Sequence, residues 1–424
     1  MRWLSKLDDP SKVVRQMLLG IVLTLVALGT LMIYSASAIY ADQMLGDSLF
    51  FLKRHLLFLC LGFIFALLFM SIDYKLYRKV ANPALIVMVV LLILVLLMPQ
   101  TVAGTRRWFR IAGMNLQPSE FAKLAVILYI ANMVSEKKIP LRDLKFDILP
   151  IALPVGLVCG LVLLGKDFGT TVVIGAVFVV LMFLAGLPKR YFLGIFAISA
   201  PVLVLAVVLE PYRLKRIVAF MNPWEDILNT GFQLYQSLLA IGAGGLWGAG
   251  LGQSQQKLFY LPAAHTDFIF SIIGEELGFL GVGTVILLFV AFAWVCWLIV
   301  SRCSTLFGQF LAVGIGSQII LEAIVNIGVS IGVFPTKGLA LPFVSYGGSA
   351  LLVKMIFVGI LLNVSRDMKW MPRSSGEVPR PGGTSPNGTS PKDDSSSDLE
   401  EASPEPVASP NDLSTDVTLE EERR

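Results

Sequence analysis

ANPALIVMVVLLILVLLMP, residues 81–99, contains no charged side chain and is long enough to cross a membrane as one helix. A crossing of the hydrocarbon core needs about 20 apolar helical residues. Comparable runs recur along most of the chain, which is 55% hydrophobic and only 15% charged. Because a soluble domain needs a larger charged fraction to keep its surface wetted, the composition predicts an integral membrane protein.

These runs predict an all-α polytopic membrane protein with about ten transmembrane helices. Isolated lipid-facing strands leave their backbone groups unsatisfied, and the alternating pattern of barrel strands is absent. The predicted spans lie near residues 17–38, 55–73, 81–99, 119–135, 148–165, 169–188, 191–210, 268–300, 307–333 and 343–365.

Lysine and arginine are concentrated in the segments 1–16, 74–82, 135–147 and 189–190, which alternate between the spans. Because cytoplasmic loops carry an excess of these residues, those segments and both termini are predicted to be cytoplasmic. The first apolar run has no small-residue cleavage site behind it, so residues 1–16 are expected to stay as an N-terminal segment. The long loop 211–267, between the seventh and eighth helices, then faces outward.

Residues 17–368 form the predicted transmembrane domain, and the composition changes abruptly behind it. Residues 369–424 are rich in serine, proline and acids, which predicts a disordered cytoplasmic tail. The four cysteines lie in or near spans and indicate neither a disulfide framework nor a metal site. A net charge of +4, scattered over the loops, gives no indication of nucleic acid binding.

LPAAHTDFIFSIIGEELG, residues 261–278, places Asp267 where the outer loop runs into an apolar helix. One interpretation is structural, because an aspartate before an apolar run is a common helix N-cap. The other is chemical, because Arg107 and Lys337 belong to segments predicted on the same side. Cations hold the charge of a diphosphate leaving group, and a carboxylate takes a proton from an attacking hydroxyl.

Several charged residues lie inside predicted spans, where each costs about 2.5–3.5 kcal/mol unless it is paired or faces a cavity. Glu120 and Lys123 stand three apart in the fourth span, a spacing that suits an intrahelical ion pair. Glu322 and Lys354 are further examples. These residues either hold helices together or line a polar site, and the pattern leaves both interpretations open.

Four long motifs resemble the SEDS family of FtsW, RodA and SpoVE, and most of all its FtsW branch. They are TRRWFRIAGMNLQPSEFAKL (105–124), PYRLKRIVAFMNPWED (211–226), YLPAAHTDFIFSIIGEELG (260–278) and FPTKGLALPFVSYGGS (334–349). The resemblance extends over about residues 12–368. It departs from the usual family pattern at Lys166, beside a matching Asp167.

The resemblance implies a peptidoglycan glycosyltransferase that polymerises lipid II into β-1,4 glycan strands at the outer face of the cytoplasmic membrane. Asp267 matches the family's essential aspartate, the proposed general base, with undecaprenyl pyrophosphate leaving under inversion. A role as metal ligand or positioning group stays open for it. The matching substrate-binding positions are Arg107, Lys123, Lys337, Glu120, Arg213, Arg216, Gln233, Gln236, Ser345 and Tyr346.

The resemblance also implies partners and a location: a class B penicillin-binding transpeptidase, other division proteins and membrane lipids, at the division septum. The sequence contains no cofactor or metal motif, although Mg²⁺ or Mn²⁺ on the substrate diphosphate is chemically compatible. Three alternatives are a flippase for lipid II, a RodA-type elongation polymerase and a scaffold that recruits division proteins.

Overall fold

The computed structural model describes residues 9–98, 105–111, 114–137, 141, 143–221, 224, 229 and 231–369, which are mostly helical. The predicted disordered tail lies outside these residues except for Lys369, as do residues 1–8 of the N-terminal segment. A short hairpin, β1 (Phe109–Ile111) and β2 (Met114–Leu116), precedes α4. The helices are α1 (Pro10–Leu45), α2 (Phe50–Ser71), α3 (Tyr77–Leu97), α4 (Pro118–Glu136), α5 (Leu149–Leu164), α6 (Phe168–Leu184), α7 (Lys189–Val208), α8 (Pro211–Met221), α9 (Phe232–Ala243), α10 (Ile269–Arg302), α11 (Leu306–Ser330) and α12 (Gly348–Val364).

The polytopic helical fold is confirmed, and each of the ten predicted spans overlaps one of these helices. Among the described residues, eight helices are long and apolar enough to cross a membrane. The two others that overlap predicted spans are α6, with 17 residues, and α4, which carries buried charges. The count of ten spans therefore stays a prediction.

Helix α1 begins earlier than its apolar run because its first turn has its own start signals. The Asp9 side chain accepts a hydrogen bond from the Lys12 amide, and Pro10 occupies the first helical position. Both features favour a helix start. The helix therefore includes residues that the sequence assigned to a separate N-terminal segment.

Helices α4, α11 and α12 form the centre of the bundle, whereas α7 lies at its edge. All but one of the residues Ser349–Val364 of α12 are buried, and no residue of α7 is buried. An apolar helix without buried side chains is stable in lipid, where its surface needs no cover. The polar and charged side chains of the central helices, by contrast, must find partners within the protein.

Helix α10 is interrupted at Gly278, where the backbone adopts φ 65° and ψ −161°. The loop after α9 provides hydrogen bonds at the break: the Phe279 amide donates to Gly245 O at 2.8 Å, and the Gly250 amide donates to Glu276 O at 3.0 Å. Lys257 reinforces this contact, with its Nζ 2.9 Å from Glu276 Oε1. The break therefore fixes the outer loop to α10 about three turns after Asp267.

Replacing Gly278 by alanine should destabilise the protein. A Cβ at this position would lie 2.4 Å from Gly248 N and 2.6 Å from Leu246 O. This combination of φ and ψ is essentially restricted to glycine and costs another residue about 1–3 kcal/mol, and the backbone clash adds to that. Thermal unfolding in detergent should show a clearly lower midpoint for Gly278→Ala.

In the same helix, Gly283 has open space around it, so Gly283→Ala should unfold at or above the wild-type midpoint. Equal midpoints for the two variants would contradict this account of the break.

Candidate active site

A cavity of about 580 Å³ lies where five separate segments of the chain meet. They are the stretch before β1, the α5–α6 junction, the α7–α8 junction, the loop that precedes α10 and the loop that follows α11. All but the α5–α6 junction lie in or adjoin the loops 100–118, 211–267 and 334–348, which the distribution of lysine and arginine predicted to face outward. The charged residues that line the cavity are Arg107, Lys166, Asp167, Glu210, Arg213, Arg216, Asp267 and Lys337.

Asp267 lies in this cavity and does not cap the helix that follows it. Helix α10 begins at Ile269, with Phe268 at the N-cap position and no side-chain capping bond. The helix-cap interpretation of Asp267 is therefore wrong. Its carboxylate is left available to a ligand in the cavity.

The backbone of Asp267 is held by Asn326 of α11. Asn326 Nδ2 donates to Asp267 O at 2.8 Å and to Leu339 O at 2.7 Å, so one amide group joins the loop before α10 to the loop after α11. On the side-chain face, a Cβ added to Gly338 would lie 3.2 Å from Asp267 Oδ2. Glycine at 338 therefore lets the Lys337 loop approach the carboxylate closely.

Burial raises the pKa of Asp267 to about 6, while Arg216 and Arg107 act in the opposite direction by stabilising its charged form. A carboxylate with a pKa near the working pH is suited to accept a proton and release it again. Burial also lowers the pKa of His265 to about 4. Its ring lies 4.5 Å from that of Phe51 in an aromatic group, and it is therefore a neutral packing residue.

If Asp267 acts as a base, activity should fall at acid pH with a midpoint near pH 6, because only the deprotonated form accepts a proton. Arg216→Gln removes a cation that lowers this pKa, so the acid limb of a kcat/KM profile should move to higher pH. Arg110 is exposed on β1 and is not among the described residues that line the cavity. Arg110→Gln is therefore the control and should leave the limb in place. If the acid limb of the kcat/KM profile stays at the same pH in Arg216→Gln, Asp267 is not the group whose protonation causes it.

Arg107 is positioned by a buried carboxylate. Its guanidinium lies 3.8 Å from Asp167 Oδ1, and its Nε donates to Thr105 Oγ1 at 3.2 Å. Asp167 itself accepts from Gln117 Nε2 at 2.8 Å and from the Thr170 amide at 3.2 Å. Because the Asp167 carboxylate has several donors, it holds Arg107 in a defined direction toward the cavity.

The other cations are placed by α8 and by the loop after α11. Arg213 donates to Ala206 O at 2.7 Å, and Arg216 donates to Thr336 O at 3.0 Å. Lys337 Nζ lies 4.6 Å from the centre of the Phe168 ring, and burial lowers the pKa of Lys337. The predicted residues that the structure brings together are thus Asp267, Arg107, Arg213, Arg216 and Lys337.

Lys123 and Glu120 lie elsewhere, in a buried ring of alternating charges between α4, α11 and α12. Lys123 Nζ is 2.5 Å from Glu120 Oε1 and also contacts Glu322. Lys354 Nζ is 3.0 Å from Glu120 Oε2 and 2.8 Å from Glu322 Oε2. The predicted intrahelical pair is confirmed as part of a larger neutral group. Neither residue is among the described residues that line the cavity.

The remaining predicted positions are also outside the described cavity lining. Gln233 and Gln236 are half-buried on α9. Ser345 Oγ accepts from the Leu341 amide at 2.8 Å, and the ring of Tyr346 packs 5.2 Å from that of Phe51. These two side chains stabilise the loop after α11, and their predicted contact with substrate stays a prediction.

Sequence reasoning did not assign roles to Glu210 and Asn326, and it left Asp167 as a bare family match. The signal for Asn326 was a polar amide in a mostly apolar helix, because such a group must find buried partners. Nothing local to Glu210 indicates the cavity, because its position depends on how the end of α7 approaches the α5–α6 junction.

Comparisons with known proteins show which family the chain resembles. A family model described as "Cell cycle protein", covering FtsW, RodA and SpoVE, matches residues 15–370. A relative from Trichlorobacter lovleyi named "Probable peptidoglycan glycosyltransferase FtsW" is 46% identical over 84% of this chain and 94% of its own length. "Stage V sporulation protein E" of Bacillus subtilis is 42% identical over 82% of this chain and 96% of its own.

Solved structures show the same fold. A chain from a study titled "Structural coordination of polymerization and crosslinking by a peptidoglycan synthase complex" superposes with a TM-score of 0.68 at 29% identity, covering 82% of this chain and 97% of that chain. The rod shape determining protein RodA of Thermus thermophilus superposes with a TM-score of 0.62 at 29% identity, covering 83% and 97%.

Proposed function

The chain belongs to the FtsW, RodA and SpoVE family of cell cycle proteins, and from that premise we propose that its Asp267 cavity is where lipid II units are joined into glycan strands. It is a multi-pass membrane protein and a peptidoglycan glycosyltransferase, in agreement with several relatives at 40–46% identity that are named "Probable peptidoglycan glycosyltransferase FtsW". The observation that carries the proposed site is one carboxylate, Asp267, sharing a cavity with Arg107, Arg213, Arg216 and Lys337.

The proposed reaction follows from this charge arrangement. Asp267 takes the proton of the acceptor sugar's 4-hydroxyl, whose oxygen forms a bond to C1 of the donor sugar. The C1–oxygen bond to the diphosphate breaks, and undecaprenyl pyrophosphate leaves with the electron pair, so the configuration at C1 inverts. Arg107 and Lys337 hold the developing negative charge of the leaving group, an electrostatic contribution that is often the largest in catalysis.

A divalent cation at this site would be bound mainly by the substrate diphosphate and not by a set of protein ligands alone. Among the described residues, no group of three or more histidine, cysteine or acidic side chains could hold a metal ion. Mg²⁺ commonly binds through one or two carboxylates plus substrate phosphates, and Asp267 or Glu210 offers such a carboxylate. Bound there, Mg²⁺ or Mn²⁺ would add positive charge at the leaving diphosphate.

We place the cavity at the outer face of the cytoplasmic membrane, with both termini inside, because the lysine-rich and arginine-rich loops are on the opposite side of the predicted topology. A septal location and a class B penicillin-binding transpeptidase as partner are part of the proposal. Two observations support them: the similarity to relatives named FtsW, and the similarity to a chain of a synthase complex whose study concerns both polymerisation and crosslinking.

The test is polymerisation of lipid II by the purified full chain together with its transpeptidase partner, followed by gel separation of the glycan strands. Polymer is expected, and its absence under conditions in which a known polymerase is active would refute the proposal. A flippase is the second candidate, because the described bundle contains buried charges. Transfer of labelled lipid II across liposomes without polymer would favour that function instead.

Two further candidates are separated in cells. An elongation polymerase of the RodA type would restore rod growth rather than division in a depleted strain, whereas a septal polymerase restores division. A scaffold would restore division even with an Asp267→Ala allele, which the proposed mechanism forbids.

A further inference from the structure

Lys166 occupies a backbone position that usually belongs to glycine. Helix α5 ends at Leu164, and the next turn closes with the Lys166 amide donating to Leu163 O at 3.0 Å and the Asp167 amide donating to Val162 O at 3.2 Å. These two bonds form the common glycine-ended helix terminus, in which the residue at the Lys166 position is left-handed. Lys166 has φ 65°, inside that left-handed region.

A lysine in this conformation carries a backbone cost of about 1 kcal/mol or more that a glycine would avoid. The side chain is placed in the cavity, where it lines the same space as Asp267 and Arg107. Strained non-glycine positions are concentrated at ligand sites, where the side chain offsets the cost. Contacts of the Lys166 ammonium in the cavity would offset this backbone cost.

The contact is Glu210, at the junction of α7 and α8. Lys166 Nζ lies 3.1 Å from Glu210 Oε1, with 50% and 34% of the two side chains exposed. Ion pairs with this exposure contribute only about 0–1 kcal/mol. The pair can therefore open at little cost when a stronger anion enters the cavity.

Arg107 has a carboxylate partner that is more firmly held than that of Lys166. Its carboxylate partner, Asp167, is 4% exposed and accepts further hydrogen bonds from Gln117 and Thr170. Arg107 thus keeps a fixed partner and direction, whereas Lys166 pairs weakly with Glu210 among the described residues and has a long flexible stem. The cavity contains both a preorganised cation and an exchangeable one.

We propose that Lys166 is a further binding residue of this cavity, which leaves Glu210 and pairs with a phosphate oxygen of a diphosphate ligand. The inference deepens the proposed function, on which its assignment to the lipid II diphosphate rests. In the empty cavity, Glu210 holds the Lys166 ammonium at the rim and keeps the strong positive charge of the cavity partly neutralised. When a diphosphate enters, Lys166 adds a charge-assisted hydrogen bond that the other cations do not supply.

The test measures binding of inorganic pyrophosphate to the purified full chain in neutral detergent by calorimetry, which requires no polymerase activity. Lys166→Gln should weaken binding about tenfold, because it removes one hydrogen bond to a charged group. Lys166→Arg should bind nearly as well as the wild type. Lys215→Gln makes the same charge change on the exposed face of α8, outside the described cavity lining, and should leave the affinity unchanged.

Glu210→Gln provides an independent measurement. It should tighten pyrophosphate binding several-fold when Lys166 is present, since the ammonium no longer has to leave a carboxylate. The tightening should be smaller in the Lys166→Gln background, where only the repulsion between Glu210 and the anion is removed. Identical effects of Glu210→Gln in both backgrounds would show that Lys166 does not exchange partners.

The ligand source is distinguished by a parallel titration in which phosphatidylglycerol is added to the micelles. If phosphatidylglycerol competes with pyrophosphate in the wild type but not in Lys166→Gln, Lys166 binds lipid head groups. Pyrophosphate affinity in Lys166→Gln within twofold of the wild type would overturn the proposal. If Lys166→Gln leaves the pyrophosphate affinity unchanged while the wild type polymerises lipid II, only the role of Lys166 is refuted. If Lys166→Gln weakens pyrophosphate binding but the wild type makes no polymer, only the polymerase function is refuted.

Discussion

Replacing Asp267 by asparagine should lower the rate of lipid II polymerisation by about 10²–10⁴-fold, the usual contribution of a positioned general base. Asparagine has nearly the same shape and can keep the contact to the Gly338 loop, but it cannot accept the proton of the acceptor hydroxyl. The loss should appear mainly in kcat, because Arg107 and Lys337 still bind the diphosphate. The measurement is the initial rate of glycan formation at saturating lipid II.

The matched control is Asp42→Asn, which makes the same chemical change at an exposed position near the end of α1, outside the described cavity lining. It should polymerise at the wild-type rate. A second check is pyrophosphate binding by Asp267→Asn, which should be as tight as in the wild type or tighter, since a carboxylate has been removed. An Asp267→Asn variant that polymerises at the wild-type rate would exclude the residue as base.

Lys354→Met should destabilise the protein by about 3–5 kcal/mol, the usual cost of removing one member of a buried ion pair. The substitution leaves the carboxylates of Glu120 and Glu322, 6% and 2% exposed, facing each other with Lys123 as their one remaining cation in the ring. We expect a large drop in the midpoint of thermal unfolding in detergent. Tryptophan fluorescence provides the readout.

Two variants make this prediction specific. Lys354→Met combined with Glu322→Gln removes one charge of each sign, so it should recover much of the lost stability. Lys53→Met breaks an exposed pair in which Nζ lies 2.9 Å from Asp47 Oδ2, and it should cost no more than about 1 kcal/mol. A Lys354→Met protein as stable as Lys53→Met would show that the buried ring does not hold α4, α11 and α12 together.

The helical membrane fold could be predicted from the sequence because each span carries its own local signal. An apolar run such as 81–99 is uncharged over the length that a bilayer requires, and it lacks the alternating pattern of a barrel strand, the other backbone structure that lipid tolerates. Helix ends were less predictable. The early start of α1 depends on the Asp9 cap, and the break in α10 depends on a loop that arrives from α9.

The candidate site was predictable only in part. Arg107 and Lys337 stood out because outward-facing loops normally carry few lysines and arginines, and Asp267 stood out because it lies between such a loop and an apolar helix. The family resemblance grouped Lys123 with them, since sequence spacing cannot show that its ammonium is neutralised by Glu120 and Glu322 from within the bundle. Glu210 and Asn326 depended on tertiary packing, which joins segments far apart in the chain.

The most direct test of the central claim is an experimental structure of the full chain with a non-hydrolysable lipid II analogue. We expect the diphosphate to lie in the cavity within about 4 Å of the Arg107 guanidinium and the Lys337 ammonium, the range of an ion pair. We expect the acceptor 4-hydroxyl to lie within about 3.2 Å of an Asp267 carboxylate oxygen. An analogue bound with its diphosphate outside this cavity, or with Asp267 turned away from both sugars, would contradict the account.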